Sequence, residues 1–537
     1  MSQNLQQIAS NPENSAWVFA SAGSGKTRIL TNRVLRLLLA DVLPSKILCL
    51  TFTNAGAKEM EQRISQTLSN WATCSDEELK HNLQEISDKN PSNLEIKKAR
   101  SLLIKILDSD LPVKVQTIHS FCQFLIKSFP FEANIKPNFE LLDENSEKLL
   151  LKEAKNNLRK AALLDEKTAA IISEIHSKID EERLSNLVEK ILDKKEQLLF
   201  LKENFFNHEN IAQEIFNKLG VKKSDDEEQI FKRFLEKINK DELLETARSL
   251  AAEKAKTTSV IGLAIIDFLN DARFENFESY KKEILTDKNQ ARKISNKIDE
   301  VNLKIFNEHA ALIQAAIDEF NSLEIAKDSV LLLNFCYLIL ENYQQLKKAK
   351  ALLDYDDLIF ETNNLLENST HREFIKMRMD SGFDHILIDE SQDTNLKQWN
   401  IIKALSDDFF SGFGASTNKR SIFIVGDEKQ SIFSFQGADI NISAQIFQHF
   451  KNILGDELKE ISLNISYRSC AEILAIVDRT FSNEQRKNAI TKLGEYKPHQ
   501  PFRSGSGVVE IWQNIKNEKI KKTQDYQWRL KFLSKLL

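Results

Sequence analysis

Glycine, proline and cysteine are all sparse in this chain, at 14, 8 and 5 among 537 residues. No proline falls between Pro137 and Pro498, and between Gly56 and Gly382 the only glycines are Gly220 and Gly262. Such a stretch can hold helices but few tight turns that need positive φ. The cysteines (Cys49, Cys74, Cys122, Cys336, Cys470) stand far apart with no CxxC pair. That spacing argues against a disulfide framework or a zinc site and fits a reducing cytoplasm. An excess of one charge is missing too, with 74 basic residues against 79 acidic ones for a net −5. Nothing global therefore signals nucleic acid, and such a site must be built from local residues. The most apolar stretch, Ser329 to Leu340, contains Asn334 and is too short to span a bilayer. The N-terminus, MSQNLQQIASNPENS, has no basic-then-apolar leader pattern. The expectation is a soluble cytoplasmic protein of about three or four domains.

What is present divides into two kinds of sequence. Over 140–350 the apolar residues follow helical steps, as at Leu184, Leu187/Val188, Ile191/Leu192 and Leu198/Leu199. A long coiled coil is disfavoured because the apolar face breaks at Lys194-Lys195 and again near Asn204–Asn210. The flanks instead carry short apolar runs at Ala16–Ala20, Lys46–Phe52, His385–Asp389 and Ser421–Val425, each followed at once by small, polar or acidic residues. Buried parallel strands that end in functional loops have this pattern. The fold class expected is α/β, a phosphate-loop domain split by a large all-helical insertion. Its first segment would be 1–139, the insertion 140–350, the second segment 351–455, and 456–537 the start of a further domain.

Three strand ends carry the chemistry. After the first run comes Ala20-Ser21-Ala22-Gly23-Ser24-Gly25-Lys26-Thr27, then a helical RILTNRVLRLLL. Small residues let backbone N–H groups turn toward phosphate oxygens, and the helix N-terminus adds positive potential. Lys26 would reach the β- and γ-phosphates of ATP and Thr27 would hold Mg²⁺. The strand HILI ends in Asp389-Glu390, with Asp389 suited to Mg²⁺ and Glu390 to polarising an attacking water. A Gly-rich turn without ligand and a solvated acidic strand end are the bland alternatives. The third strand ends in Val425-Gly426-Asp427-Glu428-Lys429-Gln430-Ser431-Ile432-Phe433-Ser434-Phe435.

Together these segments resemble the UvrD-like (superfamily 1) DNA helicases, in their AddA/RecB branch. AxxGxGKT is that family's form of the phosphate loop, although Ala20 stands where the general pattern has Gly. Asp389-Glu390-Ser391-Gln392-Asp393 resembles its DExQD signature, and the Gly426–Ala438 stretch its GDxxQSIYxFRGA motif, with Phe433 for Tyr and Gln436 for Arg. The resemblance implies that 1–139 and 351–455 together form one RecA-like ATP-binding domain and that 456–537 begins a second, truncated one. It also implies that Gln430 senses the γ-phosphate and that Phe433 and Phe435 meet DNA bases. TFTNAGAKEM from Thr51 resembles the family's TFTNKAAxEM, and Thr117–Cys122 its TxHSF motif, which implies DNA contacts for Phe52, Asn54 and His119. Gln6 stands where the family has an adenine-recognising Gln, with Gln7 as the neighbouring register. Leu353–Leu358 matches (L/F)DYDDL without an implied catalytic role, and Phe129–Ala133 is similar to an AddA-like FPxEA stretch.

Leu463–Ser469 looks like LxxNYRS, the opening of a second RecA-like domain, with Ser466 for Asn; Arg468 would then stabilise charge on the γ-phosphate. After Arg468 only 69 residues follow, and no SKGLE-type, VALTRA-type or PD…(D/E)xK nuclease pattern is found. The closing KKTQDYQWRLKFLSKLL reads as an unstructured or misread tail. The resemblance therefore covers about residues 1–515, the N-terminal portion of an AddA-like chain. It implies an ATP- and Mg²⁺-dependent 3′ to 5′ motor on single-stranded DNA and DNA ends, in double-strand break repair and recombination. An AddB-type partner is implied, and a second polypeptide could supply the later motifs. The rival is a remnant that binds ATP and DNA without translocating. A small-molecule kinase would share the phosphate loop but gives DExQD and GDxxQS no role.

Overall fold

The computed structural model describes residues 2–512 except 88, 109–112, 205–207, 369, 381, 411–418, 435–436, 492–495 and 511. Phe435 and the expected tail at 521–537 lie outside the described residues. The chain forms two compact units, Met1–Phe139 with Leu353–Leu537, and Glu140–Leu352.

The first unit is built on six parallel strands: β1 (Ser15–Ala20), β2 (Ile47–Thr51), β3 (Lys114–Thr117), β4 (His385–Ile388), β5 (Ser421–Gly426) and β6 (Leu458–Leu463). Their spatial order is β3-β2-β4-β5-β1-β6. β1, β2, β4 and β5 are the apolar runs, and nearly all their residues are buried because helices cover both faces of a parallel sheet. The two edge strands differ. β3 (KVQT) alternates half-buried and buried residues, and β6 (LKEISL) exposes its lysine and glutamate. The expected domain end at 455 falls before β6, which pairs with β1 from Ser15↔Leu458 to Ala20↔Leu463.

Trp17 on β1 stacks on Trp399 at 6.2 Å, and Phe447 meets it edge-on at 5.3 Å. Arg33 is fully buried, yet its guanidinium donates to the carbonyls of Ala9, Asn11 and Asn14 and to Ser421 Oγ. Those bonds fasten the N-terminal turn onto β5, and burial lowers the Arg33 pKa to about 9.

The second unit is helical. Its longest element is one 51-residue helix, Glu300–Lys350, capped by Asp299 and ended by Ala351 at φ 56°. Phe306, Ala310 and Ile313 join one aromatic-rich cluster, and Phe335, Ile339 and Tyr343 join another. No helix among the described residues is long and apolar enough to cross a membrane.

Candidate active site

The phosphate-type loop links β1 to the helix Lys26–Leu39. Its backbone turns through Gly23 at φ +73° and Gly25 at φ +89°, where a side chain would be strained. Gly23 has no room for one either, since a Cβ there would sit 2.6 Å from Arg468 Cβ. The loop is held from outside: Ser21 N–H donates to the Leu463 carbonyl (3.2 Å) and Tyr467 N–H to the Gly23 carbonyl (2.9 Å). Gln6 Nε2 donates to the Ser24 carbonyl at 3.2 Å and lies 3.5 Å from the Tyr467 hydroxyl. Gln7 turns away to the Glu85 carbonyl, so Gln6 is the glutamine that faces the loop. Ser24 Oγ is buried with no hydrogen-bond partner in the loop.

Lys26 Nζ projects onto Glu390 Oε2 at 2.5 Å. Because β4 ends at Ile388, Asp389 and Glu390 diverge through a turn, with Glu390 left-handed at φ 50°, rather than through strand pleat. Asp389 is pushed up to about 7 by withdrawal from water and by the Glu390 charge, with Lys26 opposing. Asp393 rises to about 6 for the same first two reasons. Buried Gln392 joins two strand ends: its Nε2 donates to Glu390 (2.8 Å) and Asp393 (3.0 Å), while its Oε1 accepts Asp427 N–H (2.9 Å). Asp427 in turn accepts from Gln430 Nε2 at 2.7 Å and pairs with Lys429 Nζ at 3.2 Å. Lys429 Nζ also donates to Ser21 Oγ at 3.1 Å.

Beside this network lies an aromatic face. Phe52, just after β2, and Phe433 have ring centroids 4.7 Å apart at 49°. His119 meets Tyr355 edge-on at 5.4 Å, and Tyr355 is 50% exposed. Burial lowers the His119 pKa, against the pull of Asp356. Several motif residues here are helix caps. Thr53 accepts Gly56 N–H, Thr117 accepts Ser120 N–H, and Asp354 with Asp357 forms a reciprocal capping box.

Residues 1–451 match the family model described as UvrD/REP helicase N-terminal domain. The chain belongs to that family. Its similarity to curated relatives extends further along the sequence. The chain is 26% identical over 503 residues to the AddA subunit of the ATP-dependent helicase/nuclease of Staphylococcus saprophyticus, covering 87% of this chain and 38% of that protein. It is 25% identical over 529 residues to the Clostridioides difficile protein of the same name (90% and 38%). Against that of Clostridium acetobutylicum it is 25% identical over 556 residues (93% and 41%). The chain spans about two fifths of the length of these relatives.

Within this UvrD/REP family chain, the Ala20–Thr27 loop, Asp389, Glu390 and Gln430 follow adjoining strands β1, β4 and β5. Gln6 reaches the loop from the helix Ser2–Ala9, Arg468 reaches it from the segment after Ile465–Ser466, and exposed Asn54 opens the helix Asn54–Thr73. The sequence reading missed Gln392, Asp427, Lys429, Tyr355 and Tyr467. Gln392, Asp427 and Lys429 lie inside the DESQD and GDEKQS signatures, so the signal was the motif itself, read without asking what each buried polar group bonds.

Proposed function

We propose that this chain is an ATP-driven motor segment that acts on single-stranded DNA. One observation carries the reading. The phosphate loop, the Asp389-Glu390 pair and the Gln430 loop form one hydrogen-bonded network, and Phe433 next along stands against Phe52.

The residues fit ATP and Mg²⁺. Ser24 Oγ is buried and unpartnered in a loop whose two glycines adopt positive φ. The raised Asp389 carboxyl is where a divalent cation would offset Glu390's charge. Lys26, Thr27 and the loop from Ala20 to Gly25 would hold the phosphates, Gln6 the base, and Thr27 with Asp389 the Mg²⁺. Bound ATP supplies a phosphoanhydride whose hydrolysis drives the motor. Glu390 is the general base, kept in place by Lys26 and Gln392, and Gln430 reports on the phosphate end of the site. Arg468 approaches the loop from the segment after β6 and stabilises negative charge. Phe52, Phe433 and His119 offer ring faces to bases, and Asn54 a polar contact at the helix start.

Beyond β6, Ile465–Ser466 pairs in parallel with Gln500–Pro501, with helix Ala471–Thr480 between them. That crossover supports a second α/β domain beginning near 464. The relatives are named as a subunit of an ATP-dependent helicase/nuclease, which supports DNA processing together with a further subunit. Break repair and recombination, 3′ to 5′ movement and an AddB-type partner are what the motif resemblance implies. The deciding experiment is steady-state ATP hydrolysis with and without single-stranded DNA, beside Lys26→Ala. Hydrolysis that DNA stimulates and Lys26→Ala abolishes is expected. Hydrolysis that survives Lys26→Ala would refute the assignment.

A further inference from the structure

We infer that Lys429 is a positioning residue that couples nucleotide occupancy to DNA grip by tying the phosphate loop to the Gln430–Phe433 loop. The inference rests on the proposed ATP and DNA reading and adds a residue to it. Lys429 Nζ spans two loops from different strand ends. It donates to Ser21 Oγ at 3.1 Å after β1 and pairs with Asp427 Oδ1 at 3.2 Å after β5. The Asp427 side chain is only 5% exposed, and its two oxygens are divided. Oδ1 takes the Lys429 ammonium and also the Lys429 N–H at 3.3 Å, while Oδ2 takes Gln430 Nε2 at 2.7 Å. A shift of Ser21 therefore pulls on the carboxylate that holds Gln430. Phe433, three residues on, packs against Phe52.

A lysine suits this place because a single long cation can satisfy a hydroxyl and a buried carboxylate at once. Removing it leaves the Asp427 charge with less compensation, and in a buried setting that charge turns toward its remaining donors. The phosphate loop then has its backbone ties to Leu463 and Tyr467. Those backbone ties lead toward the Arg468 segment, and the route that remains toward Phe433 is the longer one through Lys26, Glu390 and Gln392 to Asp427. The coupling should accordingly fall while both sites persist.

The test is equilibrium binding of a fluorescent non-hydrolysable ATP analogue, with and without a short oligo(dT), to the full chain and its variants. In the unaltered chain oligo(dT) should change nucleotide affinity by about fivefold or more, within the usual range of site-to-site coupling. In K429M that ratio should fall toward one, and K429R should restore at least half of it. Because the readout is a ratio, a change in nucleotide affinity common to both conditions cancels. S21A should behave like K429M, and the double variant should be no worse than either single one, the signature of a shared contact. If K429M fails to fold, K429Q replaces it, keeping a donor without the charge. Equal ratios in K429M and the unaltered chain, or additive S21A and K429M effects, would overturn the proposal. So would an unaltered chain that binds both ligands independently. An unaltered chain that binds neither would sink the functional reading beneath it.

Discussion

Gly426, the last residue of β5, gives the sharpest test of how the acidic loop and the Gln430 loop are joined. A Cβ added there would collide with Ser391 Oγ, lie 2.8 Å from Gln392 Oε1 and lie 3.3 Å from Gln392 N. Its φ is not positive, so backbone strain is not the issue; the cause is the close approach of two loops. Ser391 Oγ sits on a short side chain and can rotate. Gln392 Oε1 is not free to do so, because it accepts the Asp427 N–H at 2.9 Å. To regain ordinary separation that oxygen must retreat by about 0.7 Å, which carries the bond past its useful length. Gly426→Ala therefore combines overpacking with a buried N–H left unpaired, together about 2–4 kcal/mol.

Urea unfolding followed by tryptophan fluorescence reads this unit, since Trp17, Trp71 and Trp399 all lie in its core. The midpoint should drop, and ATP hydrolysis should fall with it because Glu390 and Gln430 separate. Adding Ser391→Ala removes only the oxygen that can rotate aside and should recover a small part of the lost stability, because Gln392 Oε1 still obstructs. A Gly426→Ala protein that unfolds at the same urea concentration as the unaltered chain would show that the loops are not packed as described.

Two further outcomes are expected. His385 is buried on β4 with Nδ1 against Ser421 Oγ at 2.8 Å, and burial, with Arg33 adding to it, holds its pKa at about 4 against an ordinary 6.5. Between those values the unfolded chain binds more protons than the folded one. This contribution is therefore complete above pH 6.5 and is lost as pH falls toward 4, at most roughly 3 kcal/mol. Asp389 and Asp393, held at about 7 and about 6, titrate in the opposite sense over the same window, so the readout is a difference. The stability of the unaltered chain minus that of His385→Gln should fall as pH drops from 6.5 toward 4, and a pH-independent difference would refute the assignment. Phe52→Ala and Phe433→Ala should each weaken oligo(dT) binding by about tenfold, as expected for loss of one stacking platform, with nucleotide binding kept. Fluorescence anisotropy of labelled oligo(dT) measures this, and unaltered affinity in both variants would move the DNA track elsewhere.

The central strands were legible because a parallel strand covered on both faces must be apolar throughout, and β1, β2, β4 and β5 are. β3 and β6 escaped because an edge strand keeps one side wet: KVQT and LKEISL look like loop until their pairing is seen. The absence of proline and the scarcity of glycine marked 140–350 as helical. They did not reveal the 51-residue helix, whose two ends and middle bury different residues into three clusters, so no single apolar stripe runs its length. The site residues were named from motif patterns, and the structure separates their kinds of work. Thr53, Thr117 and Asp354 cap helices, so their side chains fix where Phe52, His119 and Tyr355 stand. Whether Gln6 or Gln7 faced the phosphate loop could not be read from adjacent identical residues; it took the direction of each side chain.

The strand order explains why motifs far apart in sequence act as one. β5 lies between β1 and β4, so the Gln430 loop leaves the sheet between the strands that carry the phosphate loop and the Asp389-Glu390 pair. From that position it reaches both neighbours, through Gln392 to the acidic loop and through Lys429 to the phosphate loop. A substitution that disturbs this loop should therefore register in nucleotide chemistry and DNA contact together. A substitution on the Tyr467–Arg468 side should register in nucleotide chemistry first, because it meets the phosphate loop directly at Gly23 and through Gln6. The two sides of the phosphate loop thus make separable contributions, and Gly426, wedged between the acidic and Gln430 loops, has no room for a side chain for that reason.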